Sequence, residues 1–260
     1  TYDDENMAGG RGGKVAIYFQ DRKITYQQVF DNVNRTGNAL KDLGIEIEHR
    51  VLVILPDSPE FAYCFFGAIK IGAVAVPTNP WMFAKDYEYL INDSRARAIV
   101  VHESVLPEIE KVWERTPFLK HIIVVGAQRG KAQSYESLLA KASDKLEAEK
   151  TTKDDVCFWG YTSGSTGSPK GAVHLQHDMI TISDFFVKPV LGMNESDLCF
   201  SASKMFFSYG LGNSLYFPFR FGAATVLWPE KPDPEKILQV IEKYRPTFFF
   251  SVPTLFARFL

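Results

Sequence analysis

The sequence predicts an α/β protein with doubly wound, mostly parallel sheets flanked by helices in two layered subdomains. Short runs that are apolar throughout recur along the chain, and stretches with helical periodicity separate them. Residues 51–55 and 73–76, for example, flank a helix-like stretch that opens at Ser58 and closes at Gly72. Strands that are apolar on both faces are typical of buried parallel sheets, and a strand–helix–strand unit joins parallel neighbours. With 260 residues, the chain is long enough for one large domain or two small ones.

The first helix is marked by its capping residues. Thr25 and Gln28 form a Thr-x-x-Gln capping box, apolar residues follow at helical spacing, and Gly44 ends the pattern. The preceding residues 1–13 are polar and glycine-rich, unlike a signal peptide. No stretch reaches the roughly 18 apolar residues that a membrane span needs. We therefore expect a cytoplasmic protein.

The later elements alternate in the same way. After the first two strands, further strands are expected at 98–101, 122–125, 156–161, 172–175, 198–201, 224–228 and 247–252. Helices are expected at 104–115, 179–190 and 234–244, with a last one starting near 254. Residues 141–155 are charged and lack apolar periodicity, which indicates an exposed connection or a subdomain boundary. The expected subdomains are therefore 1–150 and 151–260, the second one truncated.

Composition excludes several classes of protein. The chain has 29 basic and 31 acidic residues and a formal net charge of −2, without the clustered Lys and Arg of a nucleic-acid-binding surface. Cys64, Cys157 and Cys199 are far apart, and each lies in an apolar run. A disulfide framework or a zinc site is therefore not expected, and buried reduced thiols are.

Residues 162–171, Thr-Ser-Gly-Ser-Thr-Gly-Ser-Pro-Lys-Gly, carry the chemistry. This segment between two predicted strands holds three glycines, five hydroxyls and one lysine, and no acid. Glycines let backbone N–H groups approach a phosphate, hydroxyls donate to its oxygens, and a lysine adds positive charge. A flexible Gly/Ser-rich hairpin loop is the alternative interpretation. A Walker loop is the weaker one, because that motif has a different glycine spacing and leads into a helix.

Residues 161–171 resemble the phosphate-binding loop of the adenylate-forming superfamily, which includes acyl- and aryl-CoA ligases. The resemblance extends over nearly the whole chain, from residues 24–26 through 67–73 and 76–77 to 251–254. Members form an acyl-adenylate and pyrophosphate from ATP and an acid, with magnesium, and the ligases pass the acyl group to coenzyme A. The resemblance implies a catalytic role for Lys170 and a magnesium contact for Thr162. The residues that it implies for ATP phosphate binding are Thr162, Ser163, Gly164, Ser165, Thr166, Gly167, Lys170 and Gly171.

A second segment, Lys-Met-Phe-Phe-Ser-Tyr-Gly-Leu-Gly-Asn at 204–213, is similar to the corresponding string of benzoate and 4-hydroxybenzoate CoA ligases. The resemblance implies an aryl-acid pocket formed by Phe207, Ser208, Tyr209 and Gly210. The alternative is that these aromatics belong to the core. Lys204 is interpreted either as a group that steers the substrate carboxylate or as a solvated surface lysine.

Other charged side chains are given structural roles. His174 and His177 are assigned such roles because the adenylation step requires no proton transfer. Asp57 and the Asp93–Arg95 cluster are interpreted as caps and surface charge.

The expected function is ATP-dependent activation of benzoate or 4-hydroxybenzoate and its transfer to coenzyme A, as in aromatic degradation. Alternatives are activation of another acid, a P-loop NTPase, or a non-catalytic binding fragment. The superfamily's later motifs and its C-terminal catalytic domain are absent from the 260 residues, so this chain alone is expected to be inactive. The expected partners are a small aromatic carboxylate, ATP and coenzyme A, without nucleic acid or membrane. The oligomeric state is left open, a homodimer included.

Overall fold

Every apolar run that the sequence marks as a strand is a strand in the computed structural model, which describes residues 1–162 and 167–259. The strands belong to two sheets in two units of the chain. The first unit comprises residue 1 and residues 31–56 and 60–176, and the second comprises residues 2–30, 57–59 and 177–259. The α/β class with two sheets flanked by helices is confirmed.

The first unit contains a seven-stranded sheet in the order β7-β6-β5-β3-β4-β8-β9. Its strands are β3 Arg50–Ile54, β4 Val74–Pro77, β5 Ala98–His102, β6 His121–Val125, β7 Gln133–Ser134, β8 Val156–Thr162 and β9 Lys170–Leu175. All neighbours pair in parallel except β8 and β9, which form an antiparallel hairpin at one edge. Strands β3, β4 and β5 are almost completely buried, as expected for parallel strands covered on both faces.

Helices of this unit connect the parallel strands. They are α3 Pro59–Lys70, α4 Ala84–Ser94, α5 Leu106–Glu110 and α6 Tyr135–Leu139. Helix α2, Tyr26–Asp42, belongs to this unit from residue 31 onward. The backbones of α2 and α3 come close at two glycines, since a Cβ on Gly67 would lie 3.1 Å from the Gly37 nitrogen. The predicted capping box is present: the Thr25 N–H donates to Gln28 Oε1 (2.9 Å), and the Gln28 N–H donates to Thr25 Oγ1 (3.3 Å).

The second unit contains a five-stranded sheet in the order β12-β10-β11-β1-β2. Its strands are β1 Val15–Phe19, β2 Arg22–Thr25, β10 Leu198–Ser201, β11 Ala224–Leu227 and β12 Phe248–Phe250. Only β1 and β2 pair antiparallel. The α-helices that lie wholly in its part of the chain are α1 Tyr2–Ala8, α7 Asp178–Ile182, α8 Ser208–Leu211, α9 Phe217–Phe221, α10 Pro234–Tyr244 and α11 Pro253–Phe256. Two π-helical segments, Ser183–Leu191 and Gly212–Tyr216, extend α7 and α8.

One expectation about local structure needs correction, and the structure adds detail for two other segments. The single helix at 104–115 is interrupted: α5 ends at Glu110, and a 3₁₀ turn follows at Trp113–Arg115. Residues 141–155 form a largely exposed connection within the first unit, and carbonyls of 143–145 accept hydrogen bonds from the Asn34 and Asn38 side chains of α2. The polar residues before Gly13 include the short helix α1, whose Asn6 donates to the carbonyl of Phe219 (2.7 Å).

The division at 150/151 also differs from the observed units. Residues 156–175 form β8 and β9, and β8 pairs with β4 of the first unit's sheet. At the other end, β1 pairs with β11, so residues near the N-terminus belong to the second unit. Sheet pairing between distant segments, which no local pattern reveals, sets this division.

The three cysteines are buried and none takes part in a disulfide, as the sequence predicts. Burial raises the pKa of the Cys64 and Cys199 thiols far above the ordinary range. No helix in the described part of the chain is long and apolar enough to span a membrane.

Candidate functional site

The glycine- and hydroxyl-rich segment connects the two strands of the β8–β9 hairpin. Thr162 lies opposite Lys170 in the register, and Tyr161 lies opposite Gly171. Directly opposed residues of an antiparallel pair project from the same face of the sheet. The Thr162 hydroxyl and the Lys170 ammonium therefore lie on one face at the base of the loop, and both residues are exposed.

Two tyrosines anchor this base to helix α4. The Tyr161 hydroxyl donates to Asp93 Oδ2 (2.6 Å), and the Tyr89 hydroxyl donates to the Pro169 carbonyl (2.9 Å). Burial and the neighbouring Asp93 carboxylate raise the pKa of Tyr161 well above its ordinary value, so this phenol stays protonated and keeps donating. Both ends of the loop are thus fixed to the same helix.

Aromatic packing fixes β9 at its first residues. A Cβ on Gly171 would lie 3.1 Å from the Trp159 ring, so the glycine lets β9 approach the indole closely. The Arg50 guanidinium of β3 also lies over the Trp159 ring, 5.6 Å from the ring centroid. A β-carbon at residue 171 would require the Trp159 ring or strand β9 to shift by a few tenths of an ångström.

The predicted phosphate-binding residues are only partly covered by the structure. Ser163, Gly164, Ser165 and Thr166 lie outside the described residues. Gly167 has a φ of 99°, in the left-handed region that glycine favours. The exposed Thr162 and Lys170 can both donate hydrogen bonds to an anion, which is the chemistry that the loop is predicted to perform. These assignments remain predictions.

The element after the loop is strand β9, which begins at Lys170. A P-loop instead delivers its lysine at the start of a helix, whose N-terminus faces the phosphates. The antiparallel hairpin therefore argues against the NTPase alternative, as the spacing of the glycines does.

The segment predicted to bind the acid lies in the second unit. Phe207, Ser208 and Tyr209 are exposed, the two aromatic side chains by 54% and 49%, whereas Gly210 is buried. The Tyr209 hydroxyl donates to the Ser251 carbonyl at 3.4 Å. Phe207 and Tyr209 are therefore about half exposed in their unit, and their contact with the acid stays a prediction.

Lys204 and Asp57 are corrected by the structure. Lys204 is only 3% exposed, not a solvated surface lysine, and Asp57 is only 2% exposed, not a surface charge. Their Nζ and Oδ2 atoms are 3.6 Å apart, and Lys204 Nζ also donates to the carbonyl of Trp228. Burial raises the pKa of Asp57 and lowers the pKa of Lys204, while each opposite charge counteracts the effect.

The two histidines beyond the loop have contacts that suit the structural roles expected of them. The His174 ring stacks on Phe158, with centroids 4.4 Å apart and an interplanar angle of 10°. His177 Nε2 lies 3.3 Å from Asp178 Oδ1. In the described residues, no group of three or more His, Cys, Asp or Glu side chains is arranged to hold a metal ion.

Sequence reasoning missed the groups that support these two segments. Tyr89 and Asp93 carry no motif, and their helix α4 was not predicted. Asp57 offered one signal: it follows β3 closely, at the carboxyl end of a parallel strand, where functional side chains collect. Its partner, 147 residues away by number, could not be inferred from that position.

The comparisons with known proteins agree with one another. The family profile described as "AMP-binding enzyme" matches residues 4–260. The chain is 42% identical over 257 residues to a benzoate–CoA ligase of Thauera aromatica, covering 98% of this chain and 48% of the relative. It is 38% identical to a 4-hydroxybenzoate–CoA/benzoate–CoA ligase of Rhodopseudomonas palustris, covering 99% and 48%. The crystal structure of an anthranilate CoA ligase, AuaEII, in complex with anthranoyl-AMP superposes with a TM-score of 0.96 at 36% identity, covering 98% and 50%. The chain therefore spans about half the length of the curated relatives it matches.

Proposed function

The chain belongs to the family of AMP-binding enzymes, and from this we propose that the protein carrying it activates an aromatic carboxylic acid as its adenylate and transfers the acyl group to coenzyme A. The observation that carries the proposal is the β8–β9 hairpin, which presents Thr162 and Lys170 at the base of a glycine- and hydroxyl-rich loop. The similarity to ligases named for benzoate and hydroxybenzoate supports the aryl acid.

In the proposed reaction, a carboxylate oxygen of the acid attacks the α-phosphorus of ATP. The bond between the α-phosphorus and the bridging oxygen breaks, and pyrophosphate leaves with its negative charge. The sulfur of coenzyme A then attacks the acyl carbon, and AMP leaves. Phosphoryl transfer of this kind depends mainly on positioning and on stabilising the charge of the leaving group.

Lys170 and the loop donors act on the leaving pyrophosphate. The ammonium of Lys170 projects from the same face as the Thr162 hydroxyl, so both can reach oxygens of one polyphosphate. The tyrosine anchors at Asp93 and Pro169 hold the ends of the loop before ATP arrives. A preorganised donor avoids the reorganisation that the same charge would require in water.

Magnesium fits this proposal as an ion held mainly by ATP. The described residues offer no cluster of three or more carboxylates, histidines or cysteines for it, and the exposed Thr162 hydroxyl is the one protein contact that we propose. Mg²⁺ commonly binds phosphate oxygens and waters with one or two protein ligands, which is compatible with this arrangement. When bound, it would neutralise part of the charge on the pyrophosphate.

The acid is proposed to bind against the segment 207–210. Phe207 and Tyr209 offer exposed aromatic faces, and the small Ser208 between them leaves room for a ring. Flat apolar acids gain from such faces through stacking and burial of ring area. A short alkyl acid would gain less, which favours benzoates over the alternative acids.

The test is ATP–pyrophosphate exchange in the full-length protein that carries this chain, with benzoate, 4-hydroxybenzoate, anthranilate and acetate assayed in parallel. The proposal expects exchange that depends on an aryl acid and produces the aryl-CoA thioester when coenzyme A is added. Exchange with acetate alone would favour the alternative acid. ATP hydrolysis without any acid, together with no exchange, would overturn the proposal in favour of an NTPase.

A further inference from the structure

The ion pair between Asp57 and Lys204 is buried, with the two side chains only 2% and 3% exposed. A buried pair is not in itself a strong source of stability, because desolvation of both charges offsets their attraction. Lys204 is the first residue of the segment 204–213, which is similar to the acid-binding string of aryl-CoA ligases. We therefore looked for a role of this pair other than stabilising the fold.

The carboxylate of Asp57 holds the backbone as well as the lysine. Its Oδ1 atom accepts a hydrogen bond from the Met205 N–H at 2.9 Å, and this contact is buried. Its Oδ2 atom faces Lys204 Nζ, which also donates to the Trp228 carbonyl. One side chain thus fixes both the main chain and the side chain at the start of the segment.

The peptide group between Lys204 and Met205 also supports the residues that follow it. The Lys204 carbonyl accepts from the Phe207 N–H at 3.0 Å, and the Phe207 carbonyl accepts from the Leu211 N–H at 2.8 Å. A Cβ on Gly210 would lie 2.1 Å from the Lys204 carbonyl oxygen, so the turn folds directly onto that peptide group. A displacement of the Lys204–Met205 peptide would therefore move Phe207 and Tyr209.

We propose that Asp57 and Lys204 are positioning residues for the aryl acid: the Asp57 carboxylate, neutralised by Lys204, holds the Met205 amide so that residues 207–209 present a fixed surface to the ring. The inference rests on the proposed function and assigns a role to two residues outside the proposed acid-contacting residues 207–210. Misplacement of a substrate-positioning group by about 1 Å can lower the rate roughly a hundredfold.

Two charge-free double variants separate positioning from stability. Asp57→Asn with Lys204→Met removes both charges but keeps an oxygen that can accept from the Met205 amide. Asp57→Leu with Lys204→Met removes the charges and the acceptor while keeping a similar side-chain shape. Neither variant leaves a buried charge without its partner. An unpaired buried charge would by itself destabilise the fold. Arg220→Met, which removes the ion pairs with Asp184 and Glu5 in the same unit, is the control for a general loss of stability.

The readouts are the KM for benzoate and for ATP in acid-dependent pyrophosphate exchange by the full-length protein. We expect the Leu/Met variant to raise the KM for benzoate about tenfold or more and the KM for ATP less than twofold. The Asn/Met variant should stay within about threefold of wild type for both, and Arg220→Met should change neither. Equal benzoate KM values for the two double variants and wild type would overturn the inference.

Amide hydrogen exchange of the wild-type protein gives a second measurement that does not depend on the folding of any variant. The Met205 amide should be protected in the absence of substrate, and exchange at the rate of an open amide would overturn the inference. Absence of aryl-acid-dependent exchange in the wild-type enzyme would instead refute the proposed function, so the two failures are distinguishable.

Discussion

Among individual side chains, Lys170 combines exposure with a fixed backbone. It is the first residue of β9, opposite Thr162, and the neighbouring Gly171 packs against Trp159. A long flexible side chain loses conformational freedom when it binds a phosphate, and a fixed Cα limits that loss to the side chain itself. The position therefore suits an ammonium that must meet a polyphosphate at a defined place.

Lys170→Ala tests this role. We expect the substitution to lower the rate of acid-dependent pyrophosphate exchange by ten- to a thousandfold, on the order of the loss for one preorganised charge-stabilising group. The measurement is kcat/KM for ATP in the full-length protein, with thermal unfolding to show that the fold is intact. Lys41→Ala, at an exposed lysine of α2, is the matched control and should behave as wild type. Unchanged exchange in Lys170→Ala would refute the assignment.

Ser208→Leu tests whether the segment between Phe207 and Tyr209 contacts the ring. The larger side chain should overfill the proposed aryl surface, and overpacking costs about 1–3 kcal/mol, or roughly a five- to 160-fold loss. We expect kcat/KM to fall for benzoate, and further for ring-substituted benzoates, while the KM for ATP changes little. Because Ser208 is exposed, the stability of the fold should hardly change. Equal losses for acetate and benzoate would show that Ser208 does not contact the ring.

Among the strands and helices, the hairpin and helix α4 form one structural group. Tyr161, a residue of strand β8, donates to Asp93 of helix α4. Tyr89, a residue of helix α4, donates to the carbonyl of Pro169 at the end of the loop. The loop's two ends are thus fixed relative to α4, whichever conformation the residues between them adopt.

Tyr161→Phe removes the bond to Asp93 and keeps the ring. Net stability should fall by no more than about 1 kcal/mol, as for one ordinary hydrogen bond. The KM for ATP should rise several-fold, because the base of the loop loses one of its anchors, and the KM for the acid should stay constant. Tyr87→Phe, which also deletes a phenolic donor of α4 but one that binds the Asn79 carbonyl, is the control. A rise in the ATP KM of the same size in both variants would contradict the anchoring role.

For the chain as a whole, Arg220 connects three segments of the second unit. Its guanidinium binds Asp184 through two nitrogens (3.0 and 2.8 Å) and Glu5 through a third (2.8 Å). The bidentate contact lowers the pKa of Asp184 below its ordinary value. A carboxyl whose pKa is lowered by folding contributes stability above its ordinary pKa of about 4, and that contribution is lost as the pH falls through the lower folded value.

Arg220→Met should therefore reduce the free energy of unfolding at pH 7 by about 1 kcal/mol, the upper range for partly exposed pairs. The difference from wild type should shrink as the pH falls below about 4 and through the lower pKa that Asp184 has in the folded wild-type protein. Urea unfolding of the 260-residue chain between pH 2.5 and pH 7 measures this. A difference independent of pH over that range would mean that Asp184 does not carry the effect.

The 260 residues alone should not form an acyl-CoA thioester. They span about half the length of the ligases that they match, and we propose that the other half supplies the remaining contacts to ATP and coenzyme A. Mass spectrometry of the purified chain, with adenylation and thioester assays on the same sample, tests this. Thioester formation by a verified chain of 260 residues would contradict it.

Much of this protein follows from local sequence. Apolar runs of four to six residues mark nine of the twelve strands in the described residues, because a parallel strand buried on both faces tolerates little else. Strands β1, β2 and β7 were not predicted, and β9 is antiparallel and partly or fully exposed along its length. The Thr25–Gln28 pair specifies its helix start because both partners lie within one turn. The loop at 162–171 was recognisable for the same reason: its glycines, hydroxyls and lysine are consecutive, so their chemistry does not depend on the rest of the fold.

Only the tertiary structure decided which distant groups meet. Tyr161 with Asp93 and Lys204 with Asp57 join residues from different elements, and no local pattern distinguishes them from surface charges. The same limit applies to the sheets, where β1 joins β11 and β8 joins β4. A periodic pattern of apolar residues predicts which residues are buried, because burial depends on which face of its own helix or strand a residue occupies. The identity of its partner depends on packing between elements, and a lysine and an aspartate become a buried pair only when the completed fold removes both from water.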